Sequence, residues 1–326
     1  MIKIQLFFLT IFLAITNAFC QTNSTIKTQT KTQKYTRESI DATDESMWYN
    51  NRGAKKLDVK DYKGAIDDFT KAIELSPNFV IAYINRGSVK LSLNNYAGAI
   101  EDETHALELD PKNVSGYLER GSAKQNSNDF MGAIDDYTMI IQLDTMNDLA
   151  YEIRGSLKLN LKNYVGAIAD ETKALEINSK NSVAFVSRGI AKEAGNDYLG
   201  AIDDFTKAIV IDSNYSAFVN RGNLKLSQKD YIGAINDETE ALKIAPNFAG
   251  AYFIRGSAEF QKKEYQDAIN DESKCISIDP NFGAAYNIRG KAKVSTCEKN
   301  NGNSDLIKAK KLGYLKADDE IKKFCK

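Results

Sequence analysis

Hydrophobic and polar positions recur along this chain from Ser46 onward, and an Arg-Gly pair marks each recurrence. The pair occurs as Arg52-Gly53, Arg86-Gly87, Arg120-Gly121, Arg154-Gly155, Arg188-Gly189, Arg221-Gly222, Arg255-Gly256 and Arg289-Gly290, at spacings of 34, 34, 34, 34, 33, 34 and 34 residues. With this arginine as position 7, the chain divides into eight units: 46–79, 80–113, 114–147, 148–181, 182–214, 215–248, 249–282 and a worn last unit, 283–313. Position 4 is aromatic in all eight, from Tyr49 to Tyr286, and position 17 in the first seven, from Tyr62 to Tyr265. Position 20 is alanine followed by isoleucine in those seven, and position 27 is small in most units.

Within a unit, apolar or small residues at positions 4, 8 and 12, and again at 17, 20–21, 27–28 and 30, follow the period of an α-helix. The polar stretch at positions 14–16, such as Asn94-Asn95, predicts the turn between two helices. All four prolines, Pro77, Pro111, Pro246 and Pro280, fall on position 32. Proline has no amide hydrogen and clashes with the preceding turn, so it ends the second helix there. One such pair cannot bury its apolar face alone; stacked on its neighbours it can.

Charge enters through the register of the two helices. If the turn is centred near positions 15–16, position 7 lies across from position 24 and its neighbour 23. Position 23 is aspartate in all eight units: Asp68, Asp102, Asp136, Asp170, Asp204, Asp237, Asp271 and Asp305. Each arginine is therefore expected to bridge to the position-23 aspartate of its own unit or a neighbour's, with Arg86–Asp102 and Arg120–Asp136 as the type pairs. A ladder of arginines reading acidic ligands is the functional alternative. Position 24 alternates between aromatics (Phe69, Tyr137, Phe205) and glutamates (Glu103, Glu171), with Glu238 and Glu272 following. A second carboxylate for the arginine is the plainest reading of those glutamates.

The 34-residue period, the aromatic at position 4, Gly at 8, Ala at 20 and 27 and Pro at 32 resemble the tetratricopeptide repeat family over about Ser46 to Leu312. The forms Tyr83-Ile-Asn-Arg-Gly87 and Tyr96-Ala-Gly-Ala-Ile-Glu-Asp102 are similar to a variant common in bacterial secreted repeat proteins. Arginine at position 7 departs from the leucine the family usually carries. The resemblance implies an all-α, right-handed α-solenoid of about eight helix-turn-helix units, closed by a C-terminal capping helix over 314–326. It also implies an inner face lined by positions 2, 5, 9, 12 and 13 of the first helices. Here those positions are largely apolar or neutral, and they lack the Lys/Asn/Arg clamp that co-chaperone members use on a peptide carboxylate. A protein or peptide segment is expected to lie along Leu118, Val186, Val219, Phe253 and Phe260.

The first twenty residues stand apart. Met1-Ile2-Lys3, the apolar run Leu6–Ile15 and Asn17-Ala18-Phe19-Cys20 have the three-part layout of a secretory signal, with an apolar core too short for a comfortable membrane span. Cleavage after Cys20 is expected, and acylation of Cys20 as a lipoprotein is the alternative. Residues 21–45, rich in Thr, Gln and Lys, read as a flexible polar tether. A secreted, periplasmic or envelope location follows, with no membrane span once the signal is removed.

Composition narrows the chemistry. With 43 Lys plus Arg against 44 Asp plus Glu, the 326-residue chain carries a net charge of −1, which argues against nucleic acid as a partner. A single histidine, His105, set on an outward helix face, leaves little for zinc, non-haem iron or Ser-His-Asp chemistry, and no cofactor is expected. Cys275 occupies a small core position, and a Cys297–Cys325 disulfide would staple the C-terminal cap. The sequence thus points to a non-catalytic scaffold for protein–protein interaction, with a self-associating structural array as the runner-up and an enzyme as a distant third.

Overall fold

The computed structural model describes residues 42–314, which form sixteen α-helices and no strand. Residues 1–20, the stretch 21–41, Cys325 and the cap beyond residue 314 lie outside the described residues. The chain divides after Ser179 into two compact units. The N-terminal one holds α1 (Ala42–Asp58), α2 (Tyr62–Leu75), α3 (Val80–Ser92), α4 (Tyr96–Leu109), α5 (Val114–Asn126), α6 (Phe130–Leu143), α7 (Asp148–Asn160) and α8 (Tyr164–Ile177). The C-terminal one holds α9 (Ser182–Ala194), α10 (Tyr198–Asp212), α11 (Tyr215–Ser227), α12 (Tyr231–Ile244), α13 (Ala249–Gln261), α14 (Tyr265–Ile278), α15 (Gly283–Ser295) and α16 (Lys299–Lys311). Each is an all-α solenoid of helix pairs in which a helix packs on its partner and on the first helix of the next pair. The first helix starts at Ala42, inside the stretch read as tether.

The turn inside each pair is compact because one residue closes one helix and opens the next. Position 15 adopts the left-handed conformation in all eight pairs: Lys60, Asn94, Asn128, Lys162, Asn196, Lys229, Lys263 and Cys297 have φ between 59° and 70°. In the second pair Asn94 N donates to Leu91 O and Asn95 N to Lys90 O at 2.8 Å, a Schellman closure of α3. Asn95 is also the N-cap of α4, its side chain accepting from Gly98 N.

The same device explains glycine at position 19. At Gly200 a β-carbon would lie 2.2 Å from the Asp197 Oδ2 of its own cap. Where position 16 is glutamate instead, at Glu264, no side-chain cap bond forms and position 19 is Asp267. Alanine at positions 20 and 27 is fully buried (Ala65, Ala72, Ala201 and Ala208 at 0%), which lets helix axes approach closely. In the N-terminal unit Leu107, Tyr117, Tyr137, Ile140 and Leu157 form one apolar cluster; in the C-terminal unit Val219, Leu242 and Ile254 form another.

The 33-residue unit keeps its internal spacing. Its shortening falls at the unit's end, where α10 runs to Asp212 and Ser213 takes a left-handed conformation with φ 50° before Asn214 caps α11.

Candidate functional site

The position-7 arginines and position-23 aspartates meet within their own pairs. Arg86 Nε donates to Asp102 Oδ2 at 3.0 Å and Nη2 to Oδ1 at 2.7 Å. Arg120 reaches Asp136 in the same way, with Nη2 at 2.6 Å from Oδ1. The two-pronged contact recurs at Asp68, Asp170, Asp204, Asp237, Asp271 and Asp305.

Two partners were missed in the sequence. Position 11 is lysine in seven units, and its ammonium binds the second aspartate oxygen: Lys90 to Asp102 and Lys124 to Asp136, both at 2.8 Å. The third guanidinium nitrogen reaches back to a hydroxyl of the preceding unit, Arg86 to Thr70 at 3.0 Å, Arg221 to Thr206 at 2.8 Å and Arg289 to Ser273 at 3.1 Å. The guanidinium also lies over the position-4 ring, as at Arg120 and Tyr117, 5.5 Å apart. The aspartates are buried and the arginines mostly so, a setting in which an ion pair stabilises only when its hydrogen bonds are complete. At Asp68, burial pushes the carboxyl up, but bonds from Arg52 and Lys56 outweigh it and hold it below its usual range. Among the described residues, each position-7 arginine spends two guanidinium nitrogens on its own aspartate, which makes the ladder structural wiring.

The position-24 glutamates are not second carboxylates for arginine. Glu103, Glu171, Glu238 and Glu272 are 0% exposed, and both carboxyl oxygens of Glu103, Glu238 and Glu272 have no hydrogen-bond partner. They fill the space that Phe69, Tyr137 and Phe205 fill in other units, beside the position-8 glycine; a β-carbon on Gly87 would stand 2.4 Å from Glu103 Oε1. Burial, then the neighbouring Glu119 and Asp102 carboxylates, push the Glu103 carboxyl up to about 10, so it is protonated at neutral pH. Glu238 and Glu272 are raised by the same desolvation.

The expected groove residues separate into two kinds. Val186 and Val219 are buried, at 8% and 4% exposure, and belong to the core, not to a lining. Leu118 in the N-terminal unit is half-buried against the Tyr117–Tyr137 cluster. Phe253 and Phe260, on α13, are likewise half-buried: Phe253 stacks on Phe282 with centroids 4.9 Å apart, Phe260 on Tyr265 at 5.6 Å, and the Lys291 ammonium lies 5.3 Å over Phe260. Asn287, one unit after Phe253 at the same position, is buried with its Oδ1 unpartnered.

His105 is exposed, its Nδ1 3.2 Å from Glu108 Oε2. Cys275 is buried, and burial pushes its thiol up; Cys297 is exposed in the last turn, and its expected partner Cys325 lies outside the described residues. Among the described residues no group of three His, Cys, Asp or Glu could hold a metal ion, and no helix is long and apolar enough to cross a membrane. An open depression of about 300 Å³ at the boundary before α13 is lined by Tyr215, Ala245, Pro246, Asn247 and Phe248, with no carboxylate, histidine or thiol among them.

Family models described as tetratricopeptide repeat match residues 55–114 and 249–282. No curated protein matches the chain. Among solved structures, a tetratricopeptide repeat protein from Parabacteroides merdae superposes with a TM-score of 0.59 at 20% identity, covering 76% of this chain and 98% of that one. A subunit of the APC/C hetero-tetramer Cut9-Hcn1 gives 0.56 at 17% identity over 77% of this chain and 53% of its own. MamA gives 0.50 at 26% identity over 52% and 92%. The first two likenesses are of fold alone. Built from tandem helix pairs whose sequence and stacking both match that family, the chain is a tetratricopeptide-repeat protein.

Proposed function

We propose that this protein is a non-catalytic interaction scaffold, exported to the cell envelope or exterior, that holds a partner segment on the first-helix face of its C-terminal unit. The observation that carries this reading is the half-buried pair Phe253 and Phe260, two turns apart on one face of α13, at positions that line the inner face in this family. A large apolar side chain left partly uncovered beside a cation, as Phe260 is beside Lys291, suits an extended peptide that brings apolar side chains. The signal-like layout of residues 1–20 supports export, with Cys20 acylation as the other processing route.

The test compares quantitative co-purification by the wild-type chain with that by Phe253→Glu and Phe260→Glu, with circular dichroism as the folding control. Partners lost from both variants at unchanged helicity support the reading. An unchanged partner set moves the binding face elsewhere. Mass spectrometry of the mature N-terminus tests export, since an intact Met1 in the native protein contradicts it.

A further inference from the structure

The seventh unit departs from the wiring of the others at one residue. Position 11, lysine in seven units, is Glu259 here. Asp271 is therefore held by Arg255 alone, through Nε at 2.6 Å and Nη2 at 2.9 Å, where every other position-23 aspartate also has a lysine. Glu259 is itself buried, and its Oε2 has no partner. Next to Asp271 stands Glu272, fully buried with both oxygens unpartnered. Three carboxyls thus share one corner between α13 and α14 with one arginine of their own pair.

The surrounding charges do not relieve it. Asp271, Asp267 and Glu264 face Glu259 with like charge and Arg255 opposes them; Glu272 feels Asp271, Glu259 and, from α15, Arg289. Arg289 and Lys293 of α15 are both spent on Asp305. Lys262, at the end of α13, pairs with Glu264.

We propose that the seventh repeat is a pH-sensitive joint of the C-terminal unit, closed while Glu259 keeps its proton and loosened between α13 and α14 as the proton leaves. Burial first, then Asp271, push the Glu259 carboxyl up to about 8, within reach of ordinary environments. In an opened joint the same carboxyl regains water and ionises in its usual range, so each rise in pH below about 8 favours opening. Above that range the closed form has also lost this proton, and the dependence due to Glu259 levels off. Phe253 and Phe260 ride on α13, so the joint also governs the face assigned to partner binding; that last link alone rests on the proposed function.

Amide hydrogen exchange on the full chain, corrected for the intrinsic pH dependence of exchange, tests the joint without any partner. Protection in α13–α14 should fall by about tenfold more per pH unit between pH 5 and 8 in the wild type than in Glu259→Gln, the difference of one proton. The glutamine is isosteric with the protonated acid, so the closed state survives the substitution. Glu259→Lys should raise protection at pH 8 above the wild type. A pH profile unchanged in Glu259→Gln, or a Glu259→Lys chain less protected than the wild type, overturns the proposal.

Discussion

Arg120 Nη1 donates to Thr104 Oγ1 across a repeat boundary, at 3.3 Å, while its Nε and Nη2 hold Asp136 in the facing helix. One side chain thus fixes the register within a pair and links that pair to the one before it. The two ends of the bridge are not equivalent. Asp136→Leu leaves Arg120 and Lys124 without their shared carboxylate and should cost about 3–5 kcal/mol. Arg120→Leu leaves Asp136 still bound by Lys124 and places there the residue common in the family, so its loss should be clearly smaller. Thermal and denaturant melts of the two variants check the order, and equal, negligible losses would sink the pairing as a stabilising element.

The buried glutamates give an acid-side stability maximum. Glu103 titrates in its usual range when unfolded and near 10 when folded, so its burial carries no ionisation penalty below the unfolded value. As pH rises from there to 7 the unfolded chain gains an ionised carboxylate that the folded one lacks, a loss of about 3 kcal/mol. The Asp68 carboxyl, held below its usual range, works in the opposite sense and loses its contribution as pH falls through its folded value. Melting temperature should therefore peak at about pH 4, between the ordinary ranges of Asp and Glu.

Replacing Glu103 by phenylalanine, the residue that fills the same space at Phe69 and Phe205, should stabilise the chain at pH 7 by about 2 kcal/mol. It should also flatten the pH dependence between 5 and 8. Melts at three pH values distinguish this from a general packing gain, which would be independent of pH.

The cap at α14 can be repaired. Glu264 is too long to accept from the first turn as Asp197 and Asp230 do, and Asp267 occupies the place where those caps need glycine. The double change Glu264→Asp with Asp267→Gly should gain about 1 kcal/mol. Asp267→Gly alone should lose some, since it adds a flexible residue without a cap to compensate. Denaturant melts of the three chains check both signs.

The repeat, the helix pairs and the Arg–Asp bridge were legible because each recurs at one register and complementary charges at fixed spacing have few other meanings. Lys90 and its equivalents escaped notice because a lysine on a helix reads as solvated until its position relative to the facing aspartate is known. Glu103 was misread because sequence logic gives a carboxylate a cationic partner; only the structure shows it taking the volume of a phenylalanine. Val186 and Val219 share a position with Phe253, yet which of them is covered depends on the size of the side chains around them. Glycine stands at position 19 in six units, and its cause lies three residues upstream, in the Asp or Asn that caps the helix.

In the shortened unit the arginine still lies sixteen residues before its aspartate, Arg188 to Asp204, while the step from Thr206 to the next arginine, Arg221, falls from sixteen to fifteen. Chain length is therefore fixed between the two ends of the bridge and negotiable after it. Ser213 marks where the 33-residue unit accommodates its shorter length. An added residue, a tag or a protease site should be accommodated at the ends of second helices and rejected in the three-residue turns that precede them.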